Sequence, residues 1–404
     1  MNQVSWRRVA EATVWKGERA AARLRRTSSG VAFEYLPEHD GPDVATTLPR
    51  SATAITHPGG ALPPFFSGLL PEGRRLGAIR RVVKSSADDE LSLLLAVGSD
   101  TIGDVRVLPA GTPPEPVSTE PPAELTEIAF DELFAEVLGP ELRDRAAIPG
   151  AQDKVSGRMI SLPVSHRGDE CILKLDPPEV PHLVANEAFF LRAARSSGLE
   201  VADAAVVHDR DGKPGLLVRR FDRTPAPSTG PARRLPQEDA CQVLARYPAD
   251  KYLLSTEEVI QGLARWTTAP VLAARTWLRQ FAFAYLSGNG DAHAKNVSIV
   301  HRDGEWLPTP AYDLPSSLPY GDHTMALPIG GKEREDIGRR DFLTLGAACG
   351  VPPKAVERVL DELLEAMPDW LARLGELPFD DRTLHQMEKA CRYRQKRLQG
   401  AKRR

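Results

Sequence analysis

The sequence predicts an α+β chain of two lobes, a sheet-rich one followed by a mostly helical one, with an additional small α/β subdomain ahead of both. Three features predict this. Residues 111–124 carry five prolines and almost nothing to bury, which marks a linker or surface strap that sets off residues 1–110 from the remainder. From 125 to 223 strand-like runs alternate with two helical stretches. From 224 to 404 helical patterns dominate, broken by one hairpin between Ser287 and Leu314. A chain of 404 residues exceeds one ordinary core, so such a division is expected.

In order along the chain, A-T-V-W-K-G, A-A-R-L-R-R and G-V-A-F-E-Y-L read as short strands. A Pro- and Gly-punctuated loop through His57-Pro58-Gly59-Gly60 follows, then F-F-S-G-L-L-P-E-G and a helical stretch to about Gly98. Leu91, Leu94, Leu95 and Val97 fit a buried face there. Beyond the linker, I-A-F-D-E-L-F-A-E-V-L reads as a helix, and A-A-I-P-G-A-Q-D-K-V-S-G-R-M-I-S-L as strand–turn–strand around Gly150. E-C-I-L-K-L-D-P is a strand containing Lys174, and L-V-A-N-E-A-F-F-L-R-A-A-R-S-S-G is a helix that carries Glu187 and ends at Gly198. A-D-A-A-V-V-H-D and G-L-L-V-R-R-F-D make a further strand pair. Residues 224–236 read as a flexible crossing into the helical lobe.

Chemistry concentrates in S-G-N-G-D-A-H-A-K-N-V-S-I-V-H-R-D-G-E-W-L-P-T-P-A-Y-D-L-P-S. Asp291, Asn296 five positions on, and Asp313 seventeen beyond that have the identities and spacing that phosphoryl transfer needs. That reaction takes a base for the attacking hydroxyl and hard oxygen ligands for Mg²⁺. V-S-I-V and E-W-L-P-T-P fit two strands around an Arg-Asp-Gly turn that would return Asp313 beside Asn296. Lys174 alone would be an outward strand lysine. Between a Gly-containing hairpin and a helix with Glu187, it stands where a kinase small lobe keeps its phosphate-binding lysine, so a bilobal protein-kinase-like fold is expected. Asp291 and His293 also form a D-x-H that would suit a metal-dependent hydrolase recruiting Asp313, but no third imidazole stands at helical or hairpin spacing.

A formal net charge of −3 gives no global push toward nucleic acid or membrane. The four cysteines lack C-x-x-C spacing, which argues against a zinc cluster or disulfide framework and suits a reducing cytoplasm. No apolar run reaches spanning length, so no membrane association is expected. The tail C-R-Y-R-Q-K-R-L-Q-G-A-K-R-R holds seven basic residues and no acid, and reads as a solvated helix end or a point of contact with nucleic acid beside a partner.

These segments resemble the HipA-type serine/threonine kinases, the toxin components of bacterial toxin–antitoxin pairs. F-F-S-G-L-L-P-E-G, I-P-G-A-Q-D-K, I-L-K-L-D with V-A-N-E, V-R-R-F-D-R, Q-E-D-A-C-Q as first large-lobe helix, N-G-D-A-H-A-K-N and A-Y-D-L-P-S carry the resemblance, in order and over nearly the whole chain. The resemblance implies an ATP- and Mg²⁺-dependent protein kinase. Asp291 would be its base or substrate-orienting carboxylate, Asn296 and Asp313 its metal ligands, and Lys174 its hold on the nucleotide, beside Glu187. Ile148, Gly150, Ala151 and Gln152 would cover the phosphates, and the hinge from Arg219 to Phe221 would meet the adenine. His293 stands where ordinary protein kinases keep a lysine that steadies the transferred phosphate. The implied partners are a helix-turn-helix antitoxin dimer, DNA only indirectly through it, and a protein substrate of the aminoacyl-tRNA synthetase kind.

Two positions depart from the family pattern. Ala147 stands where the family's best-known form has a phosphorylatable loop serine, and Pro236 where histidine is common. Self-inactivation through the loop is therefore not expected; Ser156 lies on the outgoing strand, and Ser316, Ser317 and Thr324 are the expected acceptors instead. Two other readings are a small-molecule phosphotransferase of the aminoglycoside or choline kinase type and a pseudokinase co-repressor. The separate first domain with G-A-Q-D-K argues against the former, and Lys174, Asp291, Asn296 and Asp313 together argue against the latter.

Overall fold

A computed structural model describes residues 6–50, 54–115, 125–133, 159–177, 179–224 and 233–399. The expected turn around Gly150, with Ile148, Ala151 and Gln152, lies outside the described residues, as do Ala147 and Ser156. Strands β1 (Glu11–Lys16), β2 (Arg19–Thr27), β3 (Gly30–Tyr35), β4 (Ile55–Pro58) and β5 (Val105–Pro109) form an antiparallel sheet in the order β4-β3-β2-β1-β5. Helices Pro64–Gly68 and Glu90–Val97 pack Phe65, Phe66, Leu91, Leu94 and Leu95 against it.

Two of these strands depart from the sequence reading. β4 occupies part of the Pro- and Gly-punctuated loop. It is an edge strand with no buried residue, so no apolar alternation announces it, and Pro58 is tolerated where no ladder continues. β5 closes the other edge by pairing with β1, from the far end of the unit.

The next sheet runs β6 (Ile160–His166), β7 (Asp169–Leu175), β9 (Pro214–Arg219), β8 (Ala204–His208), antiparallel throughout. Strand alternation decides its chemistry. Cys171, Leu173 and Leu175 pack with Phe130 and Ala78 on one face, which leaves Ile172 and Lys174 on the other, lining a cavity. Across that face lies the helix Leu183–Ser196. Its entry is fixed by Asp176, which follows β7 by one residue and accepts from the N–H groups of His182 (3.0 Å) and Val184 (2.7 Å). Its end is followed by Gly198 in the left-handed region at φ 78°, as expected.

Helices Thr256–Ala264, Pro270–Ser287, Arg339–Ala348, Pro353–Leu371 and Asp381–Gln399 build the largest core. β11 (Ser298–Arg302) and β12 (Glu305–Pro308) form the expected hairpin, with Asp303 and Gly304 both at positive φ as a mirror-image turn requires. The segment Q-E-D-A-C-Q is only partly helical. Gln237–Asp239 form strand β10 against β11, and the Asp239 carboxylate caps the following turn Ala240–Val243. The basic tail also differs from the solvated end expected. Arg394 is buried, donates to the carbonyls of Tyr285 (2.8 Å) and His323 (2.7 Å), and lies over the Tyr285 ring. Among the described residues no helix is long and apolar enough to cross a membrane.

The 18-residue helix Pro270–Ser287 ends where it must for the site to form. Gly288 takes φ 70°, and the N–H of Asn289 returns to the carbonyl of Ala284 (2.9 Å), so the chain turns sharply into Asn289-Gly290-Asp291. A Cβ at Gly288 would also strike the Leu318 side chain. Gly288→Ala should therefore lower stability by about 1–3 kcal/mol, read as a shift in denaturant midpoint at unchanged slope.

Candidate active site

Three segments distant in sequence meet at a cavity of about 360 Å³. From β7, the Lys174 ammonium lies 2.6 Å from Glu187 Oε1 and 2.9 Å from Asp313 Oδ1. Burial pushes the Glu187 carboxyl up from its usual range, against the pull of Lys174. Burial acts on Asp313 in the same sense, but the adjoining ammonium wins and holds that carboxyl low. Lys174 itself is held charged, its desolvation more than offset by the two carboxylates. The ammonium thus has one carboxylate held ionised beside it, Asp313, and one, Glu187, that burial pushes toward its neutral form. Asp313 sits at φ 58°, a left-handed conformation that costs about 1 kcal/mol or more in a non-glycine residue. It is held there from the side chain by Lys174 and from the backbone by Asn289 Nδ2, which donates to its carbonyl at 3.4 Å.

Two residues before His293, which lines the cavity, Asp291 is buried and its Oδ1 accepts from Tyr252 Oη at 2.7 Å. Asn289 Oδ1 accepts the Asp291 N–H at 2.9 Å, so one side chain orders both acidic loops. Asn296 donates through Nδ2 to the Asp291 carbonyl at 2.8 Å, which reserves its Oδ1 as the acceptor end. Asn296 and Asp313 line the same cavity, and an amide oxygen with a carboxylate is a donor pair that fits Mg²⁺ once phosphate oxygens complete the shell. No group of three or more His, Cys, Asp or Glu side chains gathers as a metal site among the described residues. His293 lies edge-on to Tyr252 at 5.1 Å between centroids, with Nε2 4.0 Å from Asp291 Oδ1 and Nδ1 buried without a partner.

The sequence-predicted hinge also lines the cavity, with Val218, Arg219, Phe221 and Asp222. Arg219 directs its guanidinium outward to Asp169 at 3.0 Å, while Phe221 packs at 5.5 Å on Tyr312, the neighbour of Asp313. Ser316 and Ser317, expected as phosphate acceptors, are buried and engaged. Ser316 exchanges backbone hydrogen bonds with the Asn186 amide at 2.9 Å each way, and Ser317 Oγ accepts the Gly290 N–H at 2.9 Å. Of the three expected acceptors only Thr324 is partly exposed, with Oγ1 donating to Asp322 at 2.7 Å.

Sequence reasoning missed a further set of wall residues. Glu72 and Arg75 reach the cavity from the first unit, and Lys295 and Tyr312 from the loops around Asn296. Glu72 is half-buried, and although desolvation raises its carboxyl, Lys295 and Lys251 hold it down to about 2. The L-L-P-E segment was visible, but nothing local to it points to a lysine more than 170 residues away.

A family model described as the HipA-like C-terminal domain matches residues 146–371, and one described as the HipA N-terminal domain matches residues 12–108. The putative kinase Y4mE of Sinorhizobium fredii is 30% identical over 390 residues, spanning 90% of this chain and 91% of its own. The serine/threonine-protein kinase toxin HipA of Shewanella oneidensis is 27% identical over 379 residues, spanning 86% of this chain and 85% of its own. Among solved structures, a Shewanella oneidensis toxin–antitoxin complex of HipA, HipB and operator DNA aligns with a TM-score of 0.78 at 23% identity, over 96% of this chain and 97% of that one. That likeness is one of fold, and it agrees with the α+β class expected.

The buried imidazole makes a pH test. Burial lowers His293 to about 4, against the attraction of Asp291, whereas an unfolded histidine titrates near 6.5. Between those values the unfolded chain takes up a proton that the folded site refuses, so this contribution is complete above about pH 6.5 and lost as pH falls toward 4. Urea midpoints at pH 7 and pH 5 should differ less in His293→Gln than in the parent chain; an equal difference would count against a buried neutral imidazole.

Proposed function

The chain belongs to the HipA family, and on that premise we propose that it is an ATP-dependent serine/threonine protein kinase restrained by a helix-turn-helix antitoxin. The observation that carries this reading is the Lys174–Glu187–Asp313 triad, whose Lys174 and Asp313 line one cavity with Asn296, the residue whose amide holds the Asp291 carbonyl. In this reading Lys174 binds nucleotide phosphates and Glu187 aims it. The hinge backbone around Arg219 to Phe221 meets the adenine, and Ile148, Gly150, Ala151 and Gln152 cover the phosphates. Asn296 and Asp313 hold Mg²⁺, which when bound neutralises phosphate charge. Asp291 accepts the hydroxyl proton as the acceptor oxygen bonds to the γ-phosphorus and the bond to the β,γ-bridging oxygen breaks toward ADP. Tyr252, on Asp291 Oδ1, fixes which carboxylate oxygen remains to receive that proton.

The same reading divides the chain into a first unit to about residue 110, a small lobe from 125 to 223 and a large lobe from 224. The partner is a HipB-like dimer, supported by the composition of the solved HipA–HipB–operator complex, with DNA reached only through it. The substrate is a cytoplasmic protein, with aminoacyl-tRNA synthetases the class to test.

Three variants separate the roles. Lys174→Ala should weaken ATP affinity measured by calorimetry, and Asp313→Ala should abolish its dependence on Mg²⁺. Asp291→Asn should keep Mg²⁺·ATP bound while phosphate transfer falls by at least about a hundredfold. Turnover within severalfold of the parent in Asp291→Asn would reject the assignment of the base.

A further inference from the structure

Glu72 belongs to the first unit by chain, at the start of helix Gly73–Val83, yet its carboxylate lies among residues of the large lobe. Oε1 is 2.9 Å from Lys295 Nζ, and Oε2 is paired with Lys251 Nζ. Each lysine is one bond or one residue from the candidate chemistry. Lys295 lies between His293 and Asn296 and lines the cavity. Lys251 accepts the Ala294 N–H on its carbonyl at 3.2 Å, and its neighbour Tyr252 donates to Asp291. Both lysine side chains are largely buried, at 14% and 13% exposure for Lys251 and Lys295. Two ammonium groups this close and this desolvated repel unless a carboxylate lies between them. Asp239 cannot replace Glu72, because it stands 3.9 Å from Lys295 and uses Oδ1 to cap the Gln242 N–H. Lys251 has no other ion pair among the described residues.

We propose that Glu72 is a positioning residue for phosphoryl transfer, which holds Lys251 and Lys295 against the loop Asp291–Asn296, so that the first unit completes the site instead of adjoining it. The catalytic consequence rests on the kinase reading above; the positioning itself does not. During transfer the acceptor oxygen bonds to the γ-phosphorus, the bridging oxygen leaves with its electron pair on ADP, and the proton goes to Asp291. Glu72 exchanges no proton and touches no reacting atom. It fixes two positive charges beside the group in flight, where His293 replaces the lysine of ordinary protein kinases.

The test uses the full chain with Glu72→Gln, Glu72→Asp and, as a docking control, Thr46→Val. Thr46 binds Glu238 of the large lobe through Oγ1 at 2.6 Å and touches neither lysine, so its loss loosens the same inter-unit contact without moving charge. With casein as acceptor and Mg²⁺·ATP, Glu72→Gln should lower kcat about tenfold to a hundredfold with KM for ATP within about twofold. Glu72→Asp should recover part of the loss, and Thr46→Val should leave kcat near the parent value. Hydrogen exchange at the Ala294 amide, read without turnover, should quicken in Glu72→Gln. Unchanged exchange there, or a kcat loss in Thr46→Val equal to that in Glu72→Gln, would overturn the proposal. If the parent and Asp291→Asn form ADP equally, the kinase reading fails alone, and the Ala294 exchange still decides whether Glu72 positions the loop.

Discussion

A single desolvated ammonium governs the arrangement of this site. Removing Lys174 from water costs several kcal/mol, and the fold tolerates it only because two carboxylates, 13 and 139 residues further along the chain, arrive within 3 Å. The constraint runs both ways. Glu187, buried more deeply than its partner, is pushed toward its neutral form by burial and pulled back by the ammonium, and without that ammonium Asp313 would have no compensation for its left-handed backbone. The lysine is thus the point at which the sheet β6-β7-β9-β8, the helix behind it and the loop after β12 must agree in position. Their agreement sets Lys174 and Asp313 side by side on the wall of one cavity.

A second charged cluster does for the hinge what Lys174 does for the loops. Arg220 and Arg223 share Asp222 at 2.9 and 2.6 Å, all three side chains being 3% exposed. Gly103 of the first unit donates its N–H to the same carboxylate at 2.7 Å, while Arg220 donates to the Thr101 carbonyl. Buried ion pairs add little net stability compared with apolar packing, but removing one member strands a charge. Their effect here is one of register. The backbone that would face an adenine is held by carbonyls and an amide of another unit, so the first unit braces the cavity at the hinge as well as at Glu72.

What the sequence made legible follows the range of each signal. Period-two alternation set Lys174 on the face of β7 opposite Leu173 and Leu175, a rule that needs only neighbours within the strand, but read alone it made an outward lysine; the flanking hairpin and the helix of Glu187 pointed to the site. The Asp303-Gly304 turn placed the hairpin, and the spacing from Asn296 to Asp313 placed two oxygen groups on one cavity, with Asp291 joined to Asn296 by a hydrogen bond. The failures share one cause, which is that their partners are remote. β4 and β5 are edge strands whose identity depends on β3 and β1, and β10 exists because β11 lies beside it. Arg394 looked like a solvated tail residue until the carbonyls of Tyr285 and His323 were found around it. Glu72 read as the end of a motif, and its meaning lies in lysines 179 and 223 positions away.

The fate of Ser316 and Ser317 shows how the two lobes are joined beneath the cavity. Asn186, whose amide holds both backbone groups of Ser316, precedes Glu187, while Gly290, whose N–H is held by Ser317, precedes Asp291. The segment after Asp313 therefore ties the residue before the lysine's partner to the residue before the candidate base. A phosphate on either serine would have to break those bonds and find room where Gly290 already leaves none, since even a Cβ there would meet Ser317 Oγ at 2.6 Å. A hydroxyl so placed is a strut and not an acceptor. The loops of Asp313 and Asp291 are accordingly tied to each other and to the helix of Glu187 through Asn289, Ser317 and Asn186, and of the three expected acceptors Thr324 alone lies outside that strut.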